Sequence, residues 1–243
     1  MFKRSILIAI LTVTGMSMSF GQTFKTNHTF DLALSVGSSE FNGALSWNQI
    51  HGITKNKKFK LGYGVRLNMY SGSDKDYSTA PAELTSKTTG LGVMFAETFP
   101  ENLDTFRVSS ASMGSLNAVI HLEYALSPKF DIGFNIDAVG ISFGKEVEGM
   151  MVSDMAPVGA ELNQKAKPTA FNLLLTSDND LGMLNSELYG RYRLNEKMGV
   201  RFGVTFQFTE YTTNNTIAYN FDNDRFRYKS LMGMAAFYYS PFK

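Results

Sequence analysis

Residues Leu116–Gly144 read LNAVIHLEYALSPKFDIGFNIDAVGISFG. Leu116, Ala118, Ile120, Leu122 and Tyr124 share one parity, and Asn117, Val119, His121 and Glu123 share the other. A period of two is the pattern of a strand with one apolar and one mainly polar face. Ser127-Pro128-Lys129 then turns the chain, and Phe130, Ile132, Phe134, Ile136 and Ala138 restart the apolar row against Asp131, Gly133, Asn135 and Asp137. The stretch predicts a long antiparallel hairpin with a tight polar turn.

The layout recurs. Leu184–Leu194, the turn Asn195-Glu196-Lys197 and Met198–Phe208 repeat it, with Leu-Asn opening both copies. Repeated long hairpins predict an antiparallel sheet closed on itself.

The flanking chain supplies more alternation. Phe30, Leu32, Leu34 and Val36 make a first strand, and Phe41, Gly43, Leu45 and Trp47 a second. After the basic turn Thr54–Lys58, Phe59, Leu61, Tyr63, Val65, Leu67 and Met69 face away from Lys60, Gly62, Gly64, Arg66, Asn68 and Tyr70. Glycines in that second row make room inside a crowded interior. If the short turns near Lys55, Pro128 and Glu196 share one side, Ser71–Gly114 and Lys145–Gly182 become long loops on the other. Tyr211–Asp224 reads as a polar loop and Phe226–Tyr239 as the last strand. The expected fold is all-β, a closed antiparallel transmembrane-type β-barrel of eight strands with two long outer loops. The count becomes ten if Thr88–Ala96 and Phe106–Met113 also cross.

Export is expected from the first residues. Met1-Phe2-Lys3-Arg4 is basic, Ser5–Met16 is mostly apolar and Ser17–Gly21 is rich in small residues. That is the layout of a signal peptide over residues 1–21, with the barrel domain over 22–243. The apolar run is shorter than the roughly 17–25 residues of a spanning helix. A net charge of +1 argues against a nucleic-acid partner, and the absence of cysteine removes disulfides and thiolate chemistry.

Four segments, Leu122–Phe130, Gly133–Gly144, Asn172–Asn185 and Asn223–Gly233, resemble the small outer-membrane β-barrel proteins of Bacteroidota, a largely uncharacterised group. The resemblance implies a monomer in the outer membrane, surrounded by lipid and inserted by the barrel assembly machinery. A small solute or a protein would be met at the long loops. One departure is the ending Pro241-Phe242-Lys243, where such barrels end on the aromatic.

With the apolar rows facing lipid, the interior is expected to hold Asp31, Lys60, Arg66, His121, Glu123, Asp137, Glu187, Arg191, Arg193 and Arg201. Buried charges of both signs must pair, so the set reads as an ion-pair core. Alternatively, Arg66, Arg191 and Arg201 line a path for an anionic solute. His121, Glu123 and Ser186 are the best enzymatic arrangement available, and no motif supports it. Met150, Met151, Val152, Met155 and Val158 make one outer loop apolar, suited to covering the mouth or touching a partner. No spacing indicates a metal or cofactor, and Asp178-Asn179-Asp180 lacks the rest of a calcium loop. The functional expectation is a non-enzymatic outer-membrane barrel with a structural or loop-binding role. The alternatives are a small pore or hydrophobic-ligand transporter, a membrane-embedded lipid hydrolase or acyltransferase, and a soluble secreted ligand-binding barrel.

Overall fold

The computed structural model describes residues 26–87, 103–153, 156, 158–160, 162–175, 179–217 and 222–241. The expected signal peptide, the Thr88–Ala96 segment, Met155, Asp178 and the terminal Phe242-Lys243 lie outside the described residues. Eight strands carry most of the chain: β1 Thr26–Gly37, β2 Glu40–Gly52, β3 Phe59–Thr79, β4 Thr105–Ala125, β5 Phe130–Phe143, β9 Leu184–Arg193, β10 Met198–Ile217 and β11 Asn223–Tyr239. Three short strands, β6 Val147–Val152, β7 Asn163–Pro168 and β8 Phe171–Leu173, lie between β5 and β9. Among the described residues one helical turn, α1, covers Ala82–Thr85.

The closed barrel of eight or ten strands under two long loops is therefore corrected. The chain forms one antiparallel sheet of eleven strands in the order β11-β1-β2-β3-β4-β6-β7-β10-β9-β5-β8, with additional pairings β11–β3, β11–β10 and β4–β5. A simple ring gives each strand two neighbours, whereas β3, β4, β5, β10 and β11 each pair with three. Long strands run past the apolar zone, and their outer halves recruit partners from segments that read as loops. Phe106–Met113 is not a separate strand but the first half of β4, continuous with the Leu116 row. Likewise β3 continues through Ser71–Thr79, which the sequence presents as loop.

Two irregularities shape the long strands. Between β4 and β5 the register shifts at Ala118/Val119, so that Asp137 and Val139 face consecutive residues and Ala138 is left over. Such a bulge exchanges the faces of the residues beyond it, and Val139, Ile141 and Phe143 accordingly continue the exposed row of Phe130, Ile132 and Phe134. In β3, Asp74 has φ +50°, an uncommon conformation for a residue with a side chain. Buried residues fall on even numbers before it (Arg66, Asn68, Tyr70) and on odd numbers after it (Lys75, Tyr77, Thr79). Its partner β4 makes the same exchange beside it, with Phe106 and Val108 buried below Ser109 and Ala111 and Met113 buried above.

The exposed face carries a belt of large apolar side chains. Phe59, Leu61, Tyr63, Val65 and Met69 of β3 are exposed, as are Met198, Phe202, Val204 and Phe206 of β10 and Phe237 and Tyr239 of β11. Burying one such side chain is worth about 1.5–3 kcal/mol, so a belt of this extent is unfavourable against water. Its height along β3, from Phe59 to Met69, matches the roughly 9–11 residues of a tilted strand that spans hydrocarbon.

Candidate functional site

Behind the apolar belt the sheet curls around polar side chains, and these occur in two tiers. In the tier nearest the short turns, Lys60 Nζ lies 2.6 Å from Asp131 and 3.6 Å from Glu123. Arg193 also binds Asp131, and Arg191 sits 2.8 Å from Glu123 with its guanidinium 4.3 Å from the centre of the Tyr238 ring. Tyr189 donates its hydroxyl hydrogen to Glu123 at 2.9 Å.

The middle tier is built on two arginines. Arg201 donates to both oxygens of Asp31, at 2.8 and 2.6 Å, and to Glu187 at 2.8 Å. Arg66 donates to Asp137 at 3.1 Å, Asn135 at 2.6 Å and Glu187 at 3.4 Å. Asp137 also accepts from the side chains of Asn68 and Asn117 and from the backbone N–H of Asn185. Each carboxylate thus meets at least one guanidinium, Asp31 through both its oxygens and the other four together with further donors, the condition for keeping charge in a low-dielectric interior.

All ten charged or histidine residues expected inside face this network, with Lys60 and Arg193 at its partly open end. Alternation also marks Asp131 and Asn135, which share the parity of Asp137 and belong with the set. His121 and Glu123 do not bond each other: the histidine Nε2 meets Asn48 at 2.9 Å, while Glu123 is taken by Arg191, Lys60 and Tyr189. Ser186 is half-buried and donates to the carbonyl of Phe206, so it is not bonded to His121. The chain contains no cysteine, and among the described residues no three His, Asp or Glu side chains gather to hold a metal.

Above the belt the interior changes character. Tyr77 meets Tyr211 edge-on at 5.1 Å and Tyr228 at 5.8 Å, and Phe106 meets Phe226 at 5.8 Å. Val108, Met113, Met151 and Met183 complete a buried apolar cluster. Met151 enters it from β6, whereas Met150, Val152 and Val158 point outward and are exposed. Burial pushes the Tyr211 hydroxyl up to about 12, and its oxygen accepts from the Ser112 N–H. At the top, Glu210 binds both Arg225 and Arg227, and both arginines also reach the carbonyl of Asp180. Alternation alone misplaces Glu210, because Thr209, Glu210 and Tyr211 are buried in succession where β7 joins β10.

A cleft of about 320 Å³ opens beside this cluster, lined by Asp76, Ser78, Thr79, Ala80, Thr85, Leu103, Arg227, Tyr228 and Lys229. Tyr228 is shared: one side lines the cleft and the ring packs on the apolar cluster.

No family model matches the chain, and no curated protein matches it. Among solved structures it is similar to Neisserial surface protein A, at 7% identity over 88% of this chain and 95% of that one, with a TM-score of 0.36. The Ralstonia pickettii toluene transporter TbuX gives 9% identity, 88% and 89% coverage and a TM-score of 0.27. A Pseudomonas aeruginosa FadL homologue gives 9%, 83%, 68% and 0.25. The similarity is to bacterial surface and transport proteins in general and singles out no family.

Proposed function

We propose that this chain is a non-enzymatic outer-membrane protein that binds and passes a small apolar molecule through its outer half. The carrying observation is the joining of a cleft of about 320 Å³, through Tyr228, to a buried aromatic and methionine cluster. The cleft's own lining is mainly polar, with Asp76, Ser78, Thr79, Arg227 and Lys229, and the cluster supplies the apolar wall that a small-molecule site usually has. The exposed belt supports placement in lipid, with residues 1–21 acting as the export signal and the assembly machinery inserting the mature chain. A water-filled pore fits less well, because the two polar tiers occupy the interior below the cluster with paired charges.

The protein reconstituted in nanodiscs and titrated with fluorobenzene is expected to show a saturable, protein-dependent 19F signal, and planar bilayers are expected to stay at baseline conductance. Signals identical to empty nanodiscs would overturn the ligand reading. Recovery of the protein as soluble periplasmic material, with no heat-modifiable gel migration, would overturn the membrane placement.

A further inference from the structure

On the side of the sheet where β3 and β11 flank the β1–β2 hairpin, backbone pairing is interrupted. The last pairs along the hairpin are Glu40 with Gly72 and Val36 with Gly233. Beyond its tip, β3 and β11 pair directly, but only at Ser78 with Arg227 and Thr79 with Phe226. Between these points no strand pairing joins residues 74–77 of β3 to residues 228–232 of β11. The gap lies beside the cleft, and Tyr77 and Tyr228 of the apolar cluster stand on its two edges.

Side chains close the gap. Lys75 is buried, and its Nζ lies 2.5 Å from the carbonyl of Ser38 at the hairpin tip, 3.7 Å from Glu40 and 3.3 Å from the hydroxyl of Tyr228 across the break. The same ammonium lies 5.0 Å from the centre of the Tyr228 ring. One cation on β3 therefore ties the hairpin tip and β11 across the opening. The left-handed Asp74 directly precedes it, and strain of that kind persists where surrounding contacts hold it. On the outer surface Val36 and Met69 below the gap and Leu231 on its edge are exposed and apolar, while Asp76 on the opposite edge pairs with Arg107. The gap opens where the belt ends.

We propose that this break is a side passage between the edge of the lipid belt and the apolar cluster, latched by Lys75 and Tyr228. A backbone hydrogen-bonded wall opens only by unzipping, whereas a wall closed by a few side-chain contacts opens by rotamer change. The cargo that would pass rests on the ligand reading above; the passage is tested without a ligand.

The absence of native cysteine makes the test clean. Ser230 is buried on β11 along the gap, so a Ser230→Cys protein in nanodiscs is expected to react slowly with a small maleimide. Adding Lys75→Met is expected to speed labelling about tenfold or more, since it removes a charge-assisted tie. A cysteine at Thr205, buried in the tier below, is expected to keep its rate. Equal rates with and without Lys75→Met, or equal acceleration at positions 205 and 230, would overturn the passage. If fluorobenzene binds but exchanges equally fast after Asp76→Cys and Lys229→Cys are cross-linked over the cleft, the passage falls and the binding reading stands. If fluorobenzene never binds, the binding reading falls and the labelling rates still decide the passage.

Discussion

The two halves of this sheet are built in opposite senses. In the belt half, apolar residues such as Leu61, Val65 and Phe202 face out and charged residues such as Arg66, Glu187 and Arg201 face in. In the outer half, Asp76 and Arg107 face out, while Tyr77, Phe106 and Tyr211 are buried. With the proposed placement in lipid, the belt half suits a hydrocarbon surround, in which each buried charge needs a partner. The outer half is arranged as proteins in water are, around an apolar core. The exchange of faces at Asp74 in β3 and beside it in β4 lets single strands serve both. The lesson is that inside and outside are set by the local solvent, and one backbone irregularity is enough to switch them.

The largest loss of stability is expected in the belt half. Glu187 accepts from Arg201 at 2.8 Å, Asn135 at 2.8 Å and Arg66 at 3.4 Å. Glu187→Ala leaves two buried guanidiniums short of a counter-charge and is expected to cost about 3–5 kcal/mol, read as a lower urea midpoint in lipid. In the outer half the matching change is Met151→Ala, which empties a fully buried site and is expected to cost about 2–3 kcal/mol. If the halves are organised as described, removing Arg66 and Arg201 as well deepens the first loss, because Asp137 and Asp31 then lose their guanidiniums, and only replacing all five charges with apolar side chains relieves it. The second is relieved only by refilling volume.

A glycine pair gives a smaller contrast. A Cβ on Gly203 would overlap the carbonyl oxygen of Leu188, which belongs to the backbone of the paired strand. A Cβ on Gly43 would meet nothing nearer than the Phe41 ring at 3.6 Å. Gly203→Ala is expected to lower stability by about 1–3 kcal/mol, and Gly43→Ala to leave the urea midpoint in place.

The smallest effect is expected at the exposed pair of Asp76 and Arg107. The hydrogen bonds from Arg107, at 2.7 and 3.0 Å, hold the Asp76 carboxyl below its ordinary range. A depressed carboxylate adds stability above its unfolded pKa and loses it as pH falls through the folded value. Melting curves between neutral and acid pH should therefore show a slight acid-side loss that Asp76→Asn removes. A loss as large as that of Glu187→Ala would contradict the assignment of this pair to open solvent.

Much of the belt half was legible in the sequence, because alternation there continues for ten residues at a time. Phe59–Met69 and Met198–Phe208 announce both faces, and their polar parity names Arg66 and Arg201 directly. The outer half was less legible. Asp74 reverses the parity within β3, so Ser71–Thr79 loses its alternating signal and reads as loop. β6, β7 and β8 are only six, six and three residues long, too short for periodicity to separate them from loop. Lys75 then reads as a loop lysine, although it is buried among Ser38, Glu40 and Tyr228.

By itself the sequence determined which residues alternate, where the tight turns at Ser127–Lys129 and Asn195–Lys197 fall, and which charges share the polar face. These are local properties, set by a repeat of two residues and by turn chemistry. Only the tertiary structure decided the eleven-strand pairing, the choice of Asp31 and Glu187 as partners of Arg201, and the gap that Lys75 spans. Those depend on cross-strand register, and a bulge or a left-handed residue shifts register without altering the composition on either side.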